Sequence, residues 1–176
     1  QVQLLFSNTG QQGAVFHVYD KLNLTAIPKR YMVEAGKQLD DVWNLVSGQY
    51  DLWVLGPNGF HRAFKGDIKQ KDQVKSLPEI RVCVEECDPK IYLKLRNDGA
   101  EKLDLVVNAN AYLGHKTWNI MTTQTEVELV LDMTEVYGWY DFSVKIQGQE
   151  HFERRFAGRI EIGKDSYSDP FMDNVI

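Results

Sequence analysis

One stretch of the chain is written twice. YDLWVLGPNGFHRAFKG, from Tyr50 to Gly66, returns as YDFSVKIQGQEHFERRFAG, from Tyr140 to Gly158. Both copies share a Tyr-Asp start, a central Val and a Phe-x-Arg-x-Phe-x-Gly finish, with two residues inserted at the second turn. Each reads as a strand, a tight turn and a return strand. The first turn, Gly56-Pro57-Asn58-Gly59, combines a proline that presets φ with a glycine that accepts positive φ. The chain is therefore built twice from one unit, and the recurring text is the last hairpin of each.

The earlier parts of the two units agree. Val2, Leu4 and Phe6 alternate before a turn at Asn8-Thr9-Gly10, and Ile91, Leu93 and Leu95 alternate before Asn97-Asp98-Gly99, offset by 89 residues. Period-two alternation dominates and helical spacing is scarce. Leu39, Val42 and Trp43 alone stand at i, i+3 and i+4, but their counterparts Val127, Leu129 and Leu131 alternate, so 39–45 reads as a strand with a bulge at Asp40-Asp41. Many short strands separated by turn signals give an all-β fold of two tandem β-sandwiches, Greek-key and immunoglobulin-like. The expected boundaries are 1–70 for the first unit, 71–78 for a polar linker closed by a proline, 79–163 for the second unit and 164–176 for a C-terminal tail. Trp43, Trp53, Trp118, Phe64 and Phe156 are expected in the cores.

The repeat also exposes a difference. The second unit opens with a strand, Glu79 to Val84, before its Lys90 to Leu95 strand, whereas Gln1 already aligns with Lys90. The first unit thus lacks its opening strand. A sandwich short of one strand leaves N–H and C=O groups unpaired along an edge. That edge is expected to be bare, covered by the tail Lys164 to Ile176, or paired with another chain.

A net charge of −5 and a pI near 5.4 remove the electrostatic footprint of a nucleic-acid binder. The local basic groups, Arg62/Lys65 and Arg154/Arg155/Arg159, are expected on a solvated outer face or guarding an edge. No apolar run is long enough to span a bilayer, so no transmembrane segment is expected. The start QVQLLFSNTG begins inside a strand pattern without an initiator Met or a signal-peptide architecture, as an excised or processed piece would.

Little in the chain assembles chemistry. His17, His61, His115 and His151 stand on strands and turns; only His17 and His61 could face each other as a metal pair. Asp40 and Asp41, adjacent on a strand, point to opposite faces and do not converge on one atom. Asp51 and Asp141 recur in both units, which fits a structural role such as accepting backbone N–H groups or pairing with Arg62 and Arg154. Cys83 and Cys87 cannot form a structural zinc site by themselves; free thiols are expected, with a local disulfide only if the chain turns back at Asp88-Pro89. Asn23-Leu24-Thr25 matches a glycosylation sequon by spacing and equally well a turn. There is no nucleophile elbow, P-loop or dinucleotide fingerprint. The expectation is no catalytic residue, no cofactor and no metal ligand in this chain.

Residues 13–67, and within them VEAGKQLDDVW and YDLWVLGPNGFHR, resemble the C-terminal domain of the phosphoesterase-type, phosphocholine-preferring bacterial phospholipases C. PEIRVCVEE, IYLKLRNDG, VNANAY and RRFAGRIEIG resemble a second copy, which that family carries in tandem. Cys87 departs from the family pattern. The resemblance implies that phosphodiester cleavage belongs to a separate N-terminal catalytic domain, so no family catalytic residue is carried onto this sequence. It implies a secreted or periplasmic parent that hydrolyses phosphatidylcholine or sphingomyelin to phosphocholine and a lipid alcohol. This chain would then be an accessory region, with the catalytic domain or a phospholipid surface as its partner, and the turns Gly56–Gly59 and Ile146–Gln149 as the places for recognition. The other readings are a sugar- or choline-binding module and a small hydrolase using His17 or His61 with a carboxylate.

Overall fold

A computed structural model describes residues 1–69, 78–85, 88–163, 165 and 167–172. Thirteen strands follow one another: β1 (Val2–Ser7), β2 (Ala14–Asp20), β3 (Lys29–Val33), β4 (Gln38–Trp43), β5 (Gln49–Leu55), β6 (His61–Asp67), β7 (Pro78–Cys83), β8 (Lys90–Asn97), β9 (Leu103–Ala111), β10 (Thr117–Thr122), β11 (Val127–Asp132), β12 (Trp139–Ile146) and β13 (Gln149–Arg159). A 3₁₀ turn, Thr134–Val136, lies between β11 and β12. The expected linker lies outside the described residues apart from Pro78, which opens β7.

In the second half, β7, β8 and β11 form one sheet, and β10, β9, β12 and β13 the facing one. This three-on-four arrangement is that of an immunoglobulin-like sandwich. The first half repeats the wiring, with β1 and β4 facing β3, β2, β5 and β6. Alternation explains each layer: Phe16, Val18, Leu52 and Val54 fill one core with Leu4 and Phe6, while Leu105, Val107, Phe142 and Val144 meet Ile91, Leu93 and Leu95 in the other. Each such aliphatic or aromatic side chain contributes about 1.5–3 kcal/mol on burial.

The likeness extends to single atoms. The Asn8 side chain accepts from the Gly10 N–H (3.0 Å) and donates to the Gln12 carbonyl (2.7 Å). Asn97 accepts from Gly99 N–H (3.0 Å) and donates to the Glu101 carbonyl. The β5–β6 hairpin closes through Asn58 and Gly59, both at positive φ (56° and 69°), with Phe60 N–H donating to the Pro57 carbonyl. These are the marks of a type I′ turn, the connection whose twist suits paired strands. In the second hairpin the inserted residues are absorbed by a register shift at Lys145/Ile146.

Strand β4 corrects one expectation. It pairs with β1 in unbroken register from Val2↔Trp43 to Ser7↔Gln38, with neither helix nor bulge at Asp40-Asp41. Trp53 is a second correction: Leu52 and Val54 point inward, so Trp53 between them stands on the outer face, where Lys21 Nζ lies 4.5 Å from its ring. Trp43 and Trp118 pack against the two cores as expected, as do Phe64 and Phe156.

Candidate functional site: the seam between the halves and the open edge beside it

Strands β6 and β13 pair antiparallel, and this joins the two four-stranded layers into one continuous sheet of eight. The register sets Ala63 opposite Arg155, two positions that correspond in the repeated motif, so a local two-fold axis passes between them. Around it the motif meets itself. Arg62 stacks on Phe60 (4.3 Å), Phe156 and Tyr140, and donates to the Ala157 carbonyl (2.9 Å) and Tyr140 Oη (3.1 Å). Arg154 mirrors it, stacking on Phe152 (4.4 Å), Phe64 and Tyr50 and donating to the Lys65 carbonyl (2.6 Å) and Tyr50 Oη (2.8 Å). Each arginine crosses the seam to the other half's tyrosine. The glycines that close the motif make room: a Cβ on Gly66 would collide with Tyr50 Oη, and one on Gly158 would lie 2.9 Å from Tyr140 Oη.

This overturns the solvated-face reading for Arg62 and Arg154, which point into the space between the layers. Among the described residues neither pairs with a carboxylate; their charge is satisfied by carbonyls, phenols and ring faces. The repeated aspartates lie on the opposite face. Asp141 accepts from Arg155 Nε (2.9 Å) and Asn110 (2.8 Å), and Asp51 pairs with Lys21 (3.7 Å) rather than with Arg62. Burial pushes the Asp51 carboxyl upward, with Lys21 partly opposing. Arg159, nearly inaccessible, meets Glu161 at 3.3 Å.

His17 and His61 do not face each other: each is paired with Leu55, from opposite sides, so a strand separates them. Burial, and next the charge of Arg155, lower the His61 pKa. Among the described residues no group of three His, Cys, Asp or Glu is placed to hold a metal. Asp40 accepts from Gln3 (2.9 Å) on the outer face. Asp41 faces inward, where it accepts from Lys29 (2.8 Å) and Tyr31 Oη (2.6 Å), and Trp43 Nε1 donates to Tyr31 Oη (3.1 Å). Lys29 first, then Tyr31, hold the Asp41 carboxyl below its usual range, while burial and Asp41 push the Tyr31 phenol up. Cys83 is a half-buried free thiol; Cys87 lies outside the described residues. Asn23-Leu24-Thr25 forms a turn in which Thr25 Oγ1 donates to Asn23 Oδ1.

The recognition turns expected from the sequence are not aromatic tips. Gly59 sits against Trp139 and Asn58 bonds to Glu161, which places the first turn inside the contact between halves. The described tail packs on the second half: Tyr167 stacks on Tyr137 (4.2 Å), its carbonyl accepts from Trp139 Nε1, and Asp169 accepts from Tyr112 Oη (2.8 Å). These tail residues therefore do not cover β1. Beside β1 runs a cavity of about 560 Å³, lined by all six β1 residues and floored by Tyr50, Val54, Phe60, Phe64 and Arg154. Among the described residues β1 pairs with β4 alone, so its other edge opens into this cavity.

A three-on-four sandwich and a two-on-four counterpart joined through one shared sheet, with the repeated motif at the joint, define an all-β protein of the sandwich class. The family model for the C-terminal domain of bacterial phospholipase C matches twice, over residues 1–67 and 78–159, and the chain belongs to that family. It is 40% identical to a non-hemolytic phospholipase C of Pseudomonas aeruginosa over 97% of its length, which is 25% of that relative. It is 35% identical to a non-hemolytic phospholipase C of Burkholderia pseudomallei over 97% of its length and 24% of the relative. A hemolytic phospholipase C of Pseudomonas aeruginosa matches at 35% over 77% of the chain and 19% of that protein. The chain thus spans about a quarter of the first two relatives.

Proposed function

We propose that these residues form the accessory C-terminal region of a longer, secreted bacterial phospholipase C, made of two homologous units at 1–70 and 79–163. The region packs on the catalytic part of that polypeptide, which cleaves phosphatidylcholine or sphingomyelin. The observation that carries this reading is the doubled family match over a chain covering only a quarter of its phospholipase relatives. The side-chain chemistry agrees with it: Arg62, Arg154 and Asp141 are engaged in holding neighbouring strands of the shared sheet together, and Asp41 ties two strands across a sandwich. In the test, the enzyme without these 176 residues hydrolyses p-nitrophenyl phosphorylcholine and the chain alone does not. Turnover by the chain alone, lost on His61→Ala, would instead establish the small-hydrolase reading.

A lipid contact is favoured by a separate observation. Leu22, Leu24 and Ile27 in the loop after β2 and Val46 in the loop before β5 are all exposed, Ile27 at 92%. The two loops share one end of the first half, where Lys21 N–H donates to the Asp51 carbonyl. Aliphatic loop tips of this kind suit insertion among lipid headgroups. Co-sedimentation with phosphatidylcholine vesicles, abolished by Leu24→Asp with Ile27→Asp, is the expected outcome; sedimentation unchanged by the pair would contradict it.

A further inference from the structure

We propose that the groove beside β1 receives a β-strand from the polypeptide that leads into β1, paired antiparallel with it, so that the first half gains the strand that β7 supplies to the second. The inference rests on the reading of the chain as part of a longer protein.

The second half shows what fits. There β7 pairs antiparallel with β8, Val82 opposite Leu93 and Ile80 opposite Leu95, and both side chains pack on the core. The 89-residue offset carries Leu93 and Leu95 onto Leu4 and Phe6, which are buried from the same layer. A strand with apolar residues opposite Leu4 and Phe6 would therefore place them over Tyr50, Phe60 and Phe64, the floor that the cavity leaves open. A groove lined by consecutive strand residues follows a backbone edge, because alternate side chains point to opposite faces. Such an edge offers N–H and C=O groups to an incoming strand.

The same family model begins with β7 in its second match and at β1 in its first, so the matched pattern itself contains the strand in question. Twelve residues, Pro78 to Pro89, run from the start of β7 to the residue before β8. A second copy of this chain is the poorer occupant. Its β1 already directs Leu4 and Phe6 into its own core, and its outer face offers only Leu5 between the polar Gln3 and Ser7.

Hydrogen exchange read by mass spectrometry tests this on three proteins: the 176-residue chain, the same chain extended by the twelve residues that precede Gln1 in the longer enzyme, and the longer enzyme. In the 176-residue chain the peptide covering β1 is expected to exchange roughly tenfold faster than that covering β8, because only one of its edges is bonded. In the other two proteins β1 slows to the β8 rate. Fast β1 exchange in all three overturns the proposal, and so does protection in the longer enzyme but not in the extended chain. Slow exchange in the 176-residue chain, with sedimentation at twice its mass, overturns it in favour of a second copy. Hydrolysis of the phosphocholine ester by the longer protein is scored separately. Its absence would defeat the proposed function while leaving the strand assignment to stand on the exchange data.

Discussion

Arg62 and Arg154 each bring a full charge between two sheets and satisfy it without a carboxylate. A guanidinium manages this because it is planar: its faces stack on phenyl rings while its edges reach carbonyls and a phenol at once. An ammonium cannot do both. Arg62→Lys and Arg154→Lys are each expected to lower stability by about 2 kcal/mol in urea denaturation, from lost charged hydrogen bonds and stacking. Gly66→Ala, which meets Tyr50, is expected to cost about 1–3 kcal/mol through overpacking. The repeated aspartates separate in sign. Asp141→Asn gives up the paired contact to Arg155 and destabilises, whereas Asp51→Asn removes a carboxylate that burial disfavours and leaves stability equal or higher at pH 7. His61 and Asp41 both make acid destabilising. His61 is held below its free pKa, so the unfolded chain takes up a proton first as pH falls through about 6.5, and stability declines from there. Asp41 is also held low; its contribution is full above about pH 4 and is lost as pH falls toward its folded value. Thermal melts of the His61→Gln variant should be flatter between pH 7 and 5 than those of the unaltered chain.

At the scale of the element, the strands were legible because inward positions alternate, and the repeat settled 39–45, where spacing alone suggested a helix. The turn Pro57-Asn58-Gly59 was legible from its residue types. Trp53 shows that aromatic character alone does not signal burial; the parity of Leu52 and Val54 places it outside. The same parity places Arg62 on the face of Phe64, and Arg154 on that of Phe156, so two inward arginines were readable once those phenylalanines were assigned to the core. What could not be read was the pairing of β6 with β13. Edge-to-edge contact between two sandwiches leaves no periodic trace, since both strands would carry the same alternation if they were free. The open edge of β1 was visible only because a second copy showed what stands there. Gly59→Ala is expected to be severely destabilising, as it combines positive φ with a contact to Trp139.

For the whole molecule, the shared sheet and the crossed arginines make the halves one mechanical body, and the groove lies beside that joint. Among the described residues Asp41 is held by Lys29 and Tyr31, a strand separates His17 from His61, and His61 Nε2 is buried beside Trp53 without a hydrogen-bond partner, so these groups do not converge on one site. On the proposed reading, phosphodiester cleavage belongs to other parts of the longer enzyme. The most direct measurement is the kcat of that enzyme toward p-nitrophenyl phosphorylcholine with His17→Ala, His61→Gln and Asp41→Asn combined. The account predicts kcat unchanged within about twofold alongside a lowered melting temperature, since a residue with no role in the transition state leaves the rate of the folded enzyme intact. A fall in kcat of a hundredfold or more, in protein still folded at the assay temperature, would contradict it.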